Sequence, residues 1–92
     1  MTNEQIMKSL SNVQGVFEVA ELLYTFRFYR ETGSEDSPQE VILKIFNYGP
    51  DANPFYKYYC VATTKNGKIA TGNPDSSIEL AIDNIHWIHL DR

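Results

Sequence analysis

Hydrophobic and polar positions change period along this chain, and each change predicts an element. Ile6, Leu10 and Val13 recur at helical spacing. Thr2 precedes them with Gln5 three residues on, a capping-box pattern that satisfies orphan donors of a first helical turn. Gly15 stands where a left-handed stop costs least, so a short amphipathic helix is expected up to that point. Residues 16–21 are left open: Val16, Val19, Ala20 and Leu23 suit a helix, but the alternation that follows does not. From Leu22 the period is two. Leu22, Tyr24, Phe26 and Phe28 point one way, and Leu23, Thr25, Arg27 and Tyr29 the other.

A polar run from Thr32 to Pro38 predicts a loop. The second strand is expected over Glu40–Tyr48, with Val41, Leu43 and Ile45 on one face and Ile42, Lys44, Phe46 and Tyr48 on the other. Pro50 and Pro54 interrupt the chain, and a third strand is expected from Phe55 to Thr64. Asn66-Gly67 predicts a two-residue type I′ hairpin, with Thr64 opposite Ile69, Thr63 opposite Ala70 and Ala62 opposite Thr71. The last segment, Asp75–Leu90, predicts one helix, opened by a second capping box of Ser76 and Glu79. Ile78, Ala81, Ile82, Ile85 and Ile88 share its inner face with His89, while Leu80 and Trp87 fall on the outer one. The expected architecture is therefore α+β in two layers: a four-stranded antiparallel meander with N- and C-terminal helices on one face, in the order α-β-β-β-β-α.

Size and charge bound what such a domain does. At 92 residues the chain is expected to form a single domain with a thin core. Eight basic against twelve acidic residues give a net charge of −4, which disfavours nonspecific binding to nucleic acid or anionic membranes. The charge is unevenly spread: residues 1–21 carry −2, residues 22–72 carry +1 and residues 73–92 carry −3. One cysteine, Cys60, allows no intrachain disulfide and no multi-cysteine zinc site. The first residues lack the basic start and apolar run of a secretory leader, and no apolar run is long enough to span a membrane. A cytoplasmic location is expected.

Aromatic residues make up 13% of the chain, an excess that strand parity locates. If the helices cover one sheet face, Arg27, Tyr29, Lys44, Phe46, Tyr48, Lys57 and Tyr59 lie on the other. Rings interleaved with cations fit three roles: cross-strand pairs that merely stabilise a half-exposed sheet, a protein-binding surface, or a platform for single-stranded nucleic acid. Leu80 and Trp87, pointing outward, extend the candidate partner-binding set, and pairing of two copies is one way to cover them. Acidic helices would steer a basic partner towards this surface.

Catalytic chemistry is less well supported. Glu79, Asp83 and His86 fall on one helix face at spacings of four and three, a pattern a divalent metal needs but one that solvated helix faces produce routinely. His86 and His89 diverge on an ideal helix by about 60°. Glu35 and Asp36 lie in the polar loop, outside any cleft the sequence defines. Cys60 has no histidine or acid placed beside it and suits a buried strand position. No phosphate loop or nucleophile elbow is present. The expectation is a non-enzymatic chain with no cofactor and no metal.

Two family resemblances accompany this reading. The helix–strands–helix order resembles the double-stranded RNA-binding domain, but the last helix opens Pro74-Asp75-Ser76-Ser77-Ile78-Glu79, acidic where that family places phosphate-gripping lysines. Ile69-Ala70-Thr71-Gly72-Asn73 followed by Ile78-Glu79-Leu80-Ala81-Ile82-Asp83-Asn84-Ile85 resembles the strand–turn–helix of HicB-type antitoxins. That resemblance covers about a third of the chain and implies a small acidic protein that neutralises a basic, RNA-cleaving toxin. The chain departs from the family in its Asn66-Gly67 hairpin, which replaces a proline-rich stretch, and in its added N-terminal helix.

Overall fold

A computed structural model describes residues 1–31, 38–49 and 52–91. The polar loop containing Glu35 and Asp36 lies outside them. The elements are α1 (Asn3–Ser11), β1 (Glu21–Arg30), β2 (Gln39–Asn47), β3 (Tyr58–Thr64), β4 (Ile69–Thr71) and α2 (Ile78–Asp83), with single 3₁₀ turns at Pro54–Tyr56 and Trp87–Leu90. The fold is α+β, and the strands form one antiparallel sheet in the order β1-β2-β3-β4.

The first capping box forms as the pattern requires. Thr2 Oγ1 accepts from the Gln5 amide at 3.1 Å, and Gln5 Oε1 accepts from the Thr2 amide at 2.8 Å. The helix it opens does not lie across the sheet. α1 sits at one end, where Met7 packs on Gly49 and the Asn3 amide bonds Glu21, and it buries no residue. Ile6, Leu10 and Val13 consequently stay exposed. Between α1 and β1 the chain turns through left-handed Gly15 and Glu18, the latter at φ 52°. Residues 16–20 are thus neither helix nor strand.

Other boundaries also differ from the pattern-based expectation: α1 stops at Ser11, short of Gly15, and β2 runs Gln39–Asn47 rather than Glu40–Tyr48. Asn53 accepts from the Phe55 amide and starts a 3₁₀ turn at Pro54, so β3 begins at Tyr58 rather than Phe55. Ser77, not Ser76, caps α2 by accepting from the Leu80 amide; Ser76 turns instead to Asp75. The C-terminal helix ends at Asp83. Asn84 closes it, its side-chain amide donating to the Asn73 carbonyl at 3.0 Å and to Asp75 at 3.1 Å, and the chain re-forms as the turn Trp87–Leu90.

The hairpin register is shifted by one. Thr63 opposes Ile69, Ala62 opposes Ala70 and Val61 opposes Thr71. Only Gly67 of the turn takes positive φ, at 86°; its amide donates to the Thr64 carbonyl at 3.1 Å, and the Thr64 amide donates to that of Lys68 at 3.0 Å. This is a three-residue loop with a left-handed last position, not a type I′ turn. A one-residue slip exchanges the faces of a strand. Here it sends Ile69 outward and places Ala70 against Ala62, both fully buried. Small residues there let α2 approach through Ala81, and Gly72 packs directly on the Asn84 carbonyl.

The core lies between this face and the C-terminal segment: Val41, Leu43, Ile45, Cys60, Ala62, Ala70, Ala81, Ile85 and Leu90. The chain end is pinned by polar links. Buried Gln39 donates to the Leu90 carbonyl at 2.7 Å, Arg30 pairs with Asp91 at 2.6 Å, and Lys68 donates to the Asp91 carbonyl at 2.7 Å.

Candidate functional site

The sheet face opposite the core has no buried residue and no element packed over it among the described residues. Register lays it out in rows. A bulge between Leu22 and Tyr24 brings Leu22 opposite Phe46, which opposes Tyr59. The next row is Thr25–Lys44–Val61–Thr71, and then Arg27–Ile42–Thr63–Ile69, with Tyr29 opposite Glu40 beyond. Strand alternation dictates this gathering, because every second residue of a strand faces the same side.

Rings and cations on this face touch. Tyr48 stacks on Tyr59 with centroids 6.1 Å apart, and Phe46 lies 6.4 Å from the same ring. The Arg27 guanidinium sits 5.3 Å over Tyr29 and donates to its hydroxyl at 3.0 Å. Such contacts hold planar groups in fixed orientations at small entropic cost. Burial first, then Tyr59 and the Glu18 carboxylate, push the Tyr48 phenol above its ordinary value, so it stays a protonated donor. Arg27 and Lys44 are exposed, and neither forms an ion pair among the described residues, whose salt bridges are Arg30–Asp91 and Lys65–Glu40.

Thus Arg27, Tyr29, Lys44, Phe46, Tyr48 and Tyr59 share one surface. Lys57 leaves it: its ammonium lies 5.7 Å from the Tyr58 ring, and it lines a cleft of about 430 Å³ with Glu4, Met7 and Glu21 at the α1 end. Leu80 is 45% exposed on α2, as its position on the helix predicted. Trp87 is a correction. With the helix stopped at Asn84, its ring turns inward and meets Phe28 edge-on at 6.0 Å, beside the core. Ile88 exchanges places with it and is 72% exposed.

Sequence parity missed Leu22, because a bulge leaves no composition signal; Ile69 was missed for want of the hairpin register. Tyr24 and Phe26 do lie on the core side, yet both remain about half exposed, at 50% and 52%, because the C-terminal segment covers that side only as far as Phe28.

Among the described residues, Glu79, Asp83 and His86 do not converge. The helix ends before His86, so Glu79, Asp83 and His86 share no helical face, and no group of three His, Cys, Asp or Glu suited to a metal occurs among the described residues. His86 and His89 do come together, stacked at 5.5 Å, where an ideal helix would part them. Cys60 is buried, and burial pushes its thiol above the ordinary value, away from thiolate reactivity. No helix among the described residues is long and apolar enough to cross a membrane. No known protein family, characterised protein or solved structure matches the chain.

Proposed function

We propose that this chain is a non-enzymatic binding protein, acting in the cytoplasm, that engages another protein through the open face of its sheet. One observation carries the reading: Leu22, Phe46, Tyr48 and Tyr59 form a joined apolar row next to exposed Arg27 and Lys44, on a face that no other element covers among the described residues. Aromatic and arginine side chains supply most hot-spot energy in protein interfaces. A partner presenting an apolar centre and an acidic rim fits this face, rather than the basic partner expected from the acidic helices, because the exposed charges beside the rings are Arg27 and Lys44.

The test is affinity capture by the wild-type chain and by R27E/K44E, which alters two exposed positions without touching the core. A partner retained by the first and lost by the second, at equal thermal midpoints, supports the reading. Identical captures, or none, overturn it.

The cation-over-ring pair Arg27–Tyr29 beside stacked Tyr48 and Tyr59 favours one second reading, single-stranded nucleic acid. It requires salt-sensitive quenching of tyrosine fluorescence by a short oligonucleotide. An unchanged signal at low salt removes it.

A further inference from the structure

We propose that two copies of this chain pair antiparallel through β1, continuing the sheet across a twofold axis that passes by Phe26. This deepens the protein-binding reading by naming one partner as a second copy, engaged by the sheet edge rather than by the open face.

The two sheet edges are treated differently. β4 is three residues long, and the His86 amide donates to the Thr71 carbonyl at 3.0 Å, so the C-terminal segment closes that edge. β1 runs for ten residues and, among the described residues, pairs only with β2, which leaves its outer backbone groups without strand partners there. Natural edges of that length are blunted by proline, by bulges, or by charges aimed across the edge. Here the bulge lies at Leu22/Tyr24, near the start of the strand, and the strand itself contains no proline. From Tyr24 to Tyr29 the only charge is Arg27, and Tyr24 and Phe26 stack at 5.8 Å on the side the C-terminal segment leaves uncovered.

Symmetry and charge select the occupant and its register. Antiparallel strands of two identical chains in one sheet are related by a twofold perpendicular to it, so residues that oppose each other share a face. Arg27 on the axis sets two guanidiniums together and is disfavoured. Phe26 on the axis places Tyr24 against Phe28 of the second copy and Thr25 against Arg27. With the bulge counted, it also sets Glu21 against Arg30, because both residues lie on the core side. The Glu21–Arg30 pairing occurs twice by symmetry, and the only acid in β1 meets a cation each time. Arg30 retains donors for it beside its bond to Asp91, since a guanidinium carries five N–H groups.

The experiment uses the full chain in sedimentation equilibrium over a wide concentration range, alongside F26K, which sets two ammonium groups together on the axis. Mass rising from 10.6 kDa towards twice that value, with F26K weakening association about ten-fold or more, supports the pairing. A wild-type chain that stays monomeric throughout overturns it. A dimer lost in R27E/K44E but kept in F26K also overturns it, and assigns self-association to the open face instead. Because F26K removes apolar surface, a second readout is independent of its folding. Under mild oxidation F26C is expected to form a covalent dimer faster than T25C or the remote, exposed F55C, because only residue 26 faces its own copy. Faster cross-linking at T25C, or equal rates at all three, overturns the register. The open-face reading fails separately, on the capture experiment alone.

Discussion

Gly72 joins β4 to the segment that covers the sheet, and its replacement by alanine tests how that layer is held. A Cβ built there comes 2.0 Å from the Asn84 carbonyl oxygen, 2.4 Å from its carbon and 2.9 Å from the Ile85 nitrogen. All three are backbone atoms, so no side chain can rotate away. The α2 terminus must move by roughly 1 Å or more to restore van der Waals separation. That shift strains the His86–Thr71 amide–carbonyl bond of 3.0 Å and the Asn84 side-chain bond to the Asn73 carbonyl, also 3.0 Å. Overpacking of this kind costs about 1–3 kcal/mol, and each weakened hydrogen bond adds about 0.5–1.5 kcal/mol. G72A is therefore expected to lose about 2–6 kcal/mol, or roughly 10–45 °C in midpoint for a domain of this size. Urea and thermal unfolding followed by far-ultraviolet circular dichroism measure it. The matched control is G67A, where a Cβ meets nothing within 4 Å but φ is +86°, so only the backbone cost of about 1–2 kcal/mol applies. If G72A falls within 0.5 kcal/mol of wild type (about the noise of such comparisons), or costs less than G67A, the close-approach argument is wrong.

Three further perturbations address the polar links and the thiol. Q39A removes the buried donor to the Leu90 carbonyl and is expected to cost about 1–3 kcal/mol in urea unfolding, with the Trp87–Leu90 turn loosening first and Trp87 fluorescence reporting it. The Ser76 amide, then the Asn84 side chain, hold the Asp75 carboxyl below its ordinary value. A depressed carboxyl stabilises the fold above its unfolded pKa and ceases to as pH falls through the folded one. D75N should therefore flatten the acid limb of stability below about pH 4, and an unchanged limb refutes the assignment. Cys60 is 2% exposed with a raised pKa, so its alkylation in native protein should be on the order of 100-fold slower than in denaturant; comparable rates would mean that β3 opens readily.

Much of this architecture is legible in local pattern. Period-two alternation in β1 and β2, the Thr2–Gln5 box and the class of the fold each rest on interactions within a few residues, which sequence spacing encodes directly. The open face followed because strand parity is a local property: Arg27, Tyr29, Lys44, Phe46 and Tyr59 share it whatever lies elsewhere. Errors arose where a single residue shifts the count. The bulge beside Leu22 moved that side chain to the open face, and the three-residue loop at Lys65–Gly67 exchanged Ile69 with Ala70.

What the sequence determined by itself, then, was the class of the elements, their order and most of one sheet face, though not Leu22, Ile69 or the departure of Lys57. Tertiary structure decided which surfaces stay bare. Helical periodicity continues through Trp87, yet the side chain of Asn84 reaches Asn73 and Asp75, ends the helix and turns Trp87 onto Phe28. The apolar stripe of α1 promised a cover for the sheet, but Met7 on Gly49 holds that helix at the end of it. Tyr24 and Phe26 are left half exposed on an edge strand as a result. Amphipathic pattern states that a face must be buried; only the packed chain shows whether its own residues are there to bury it.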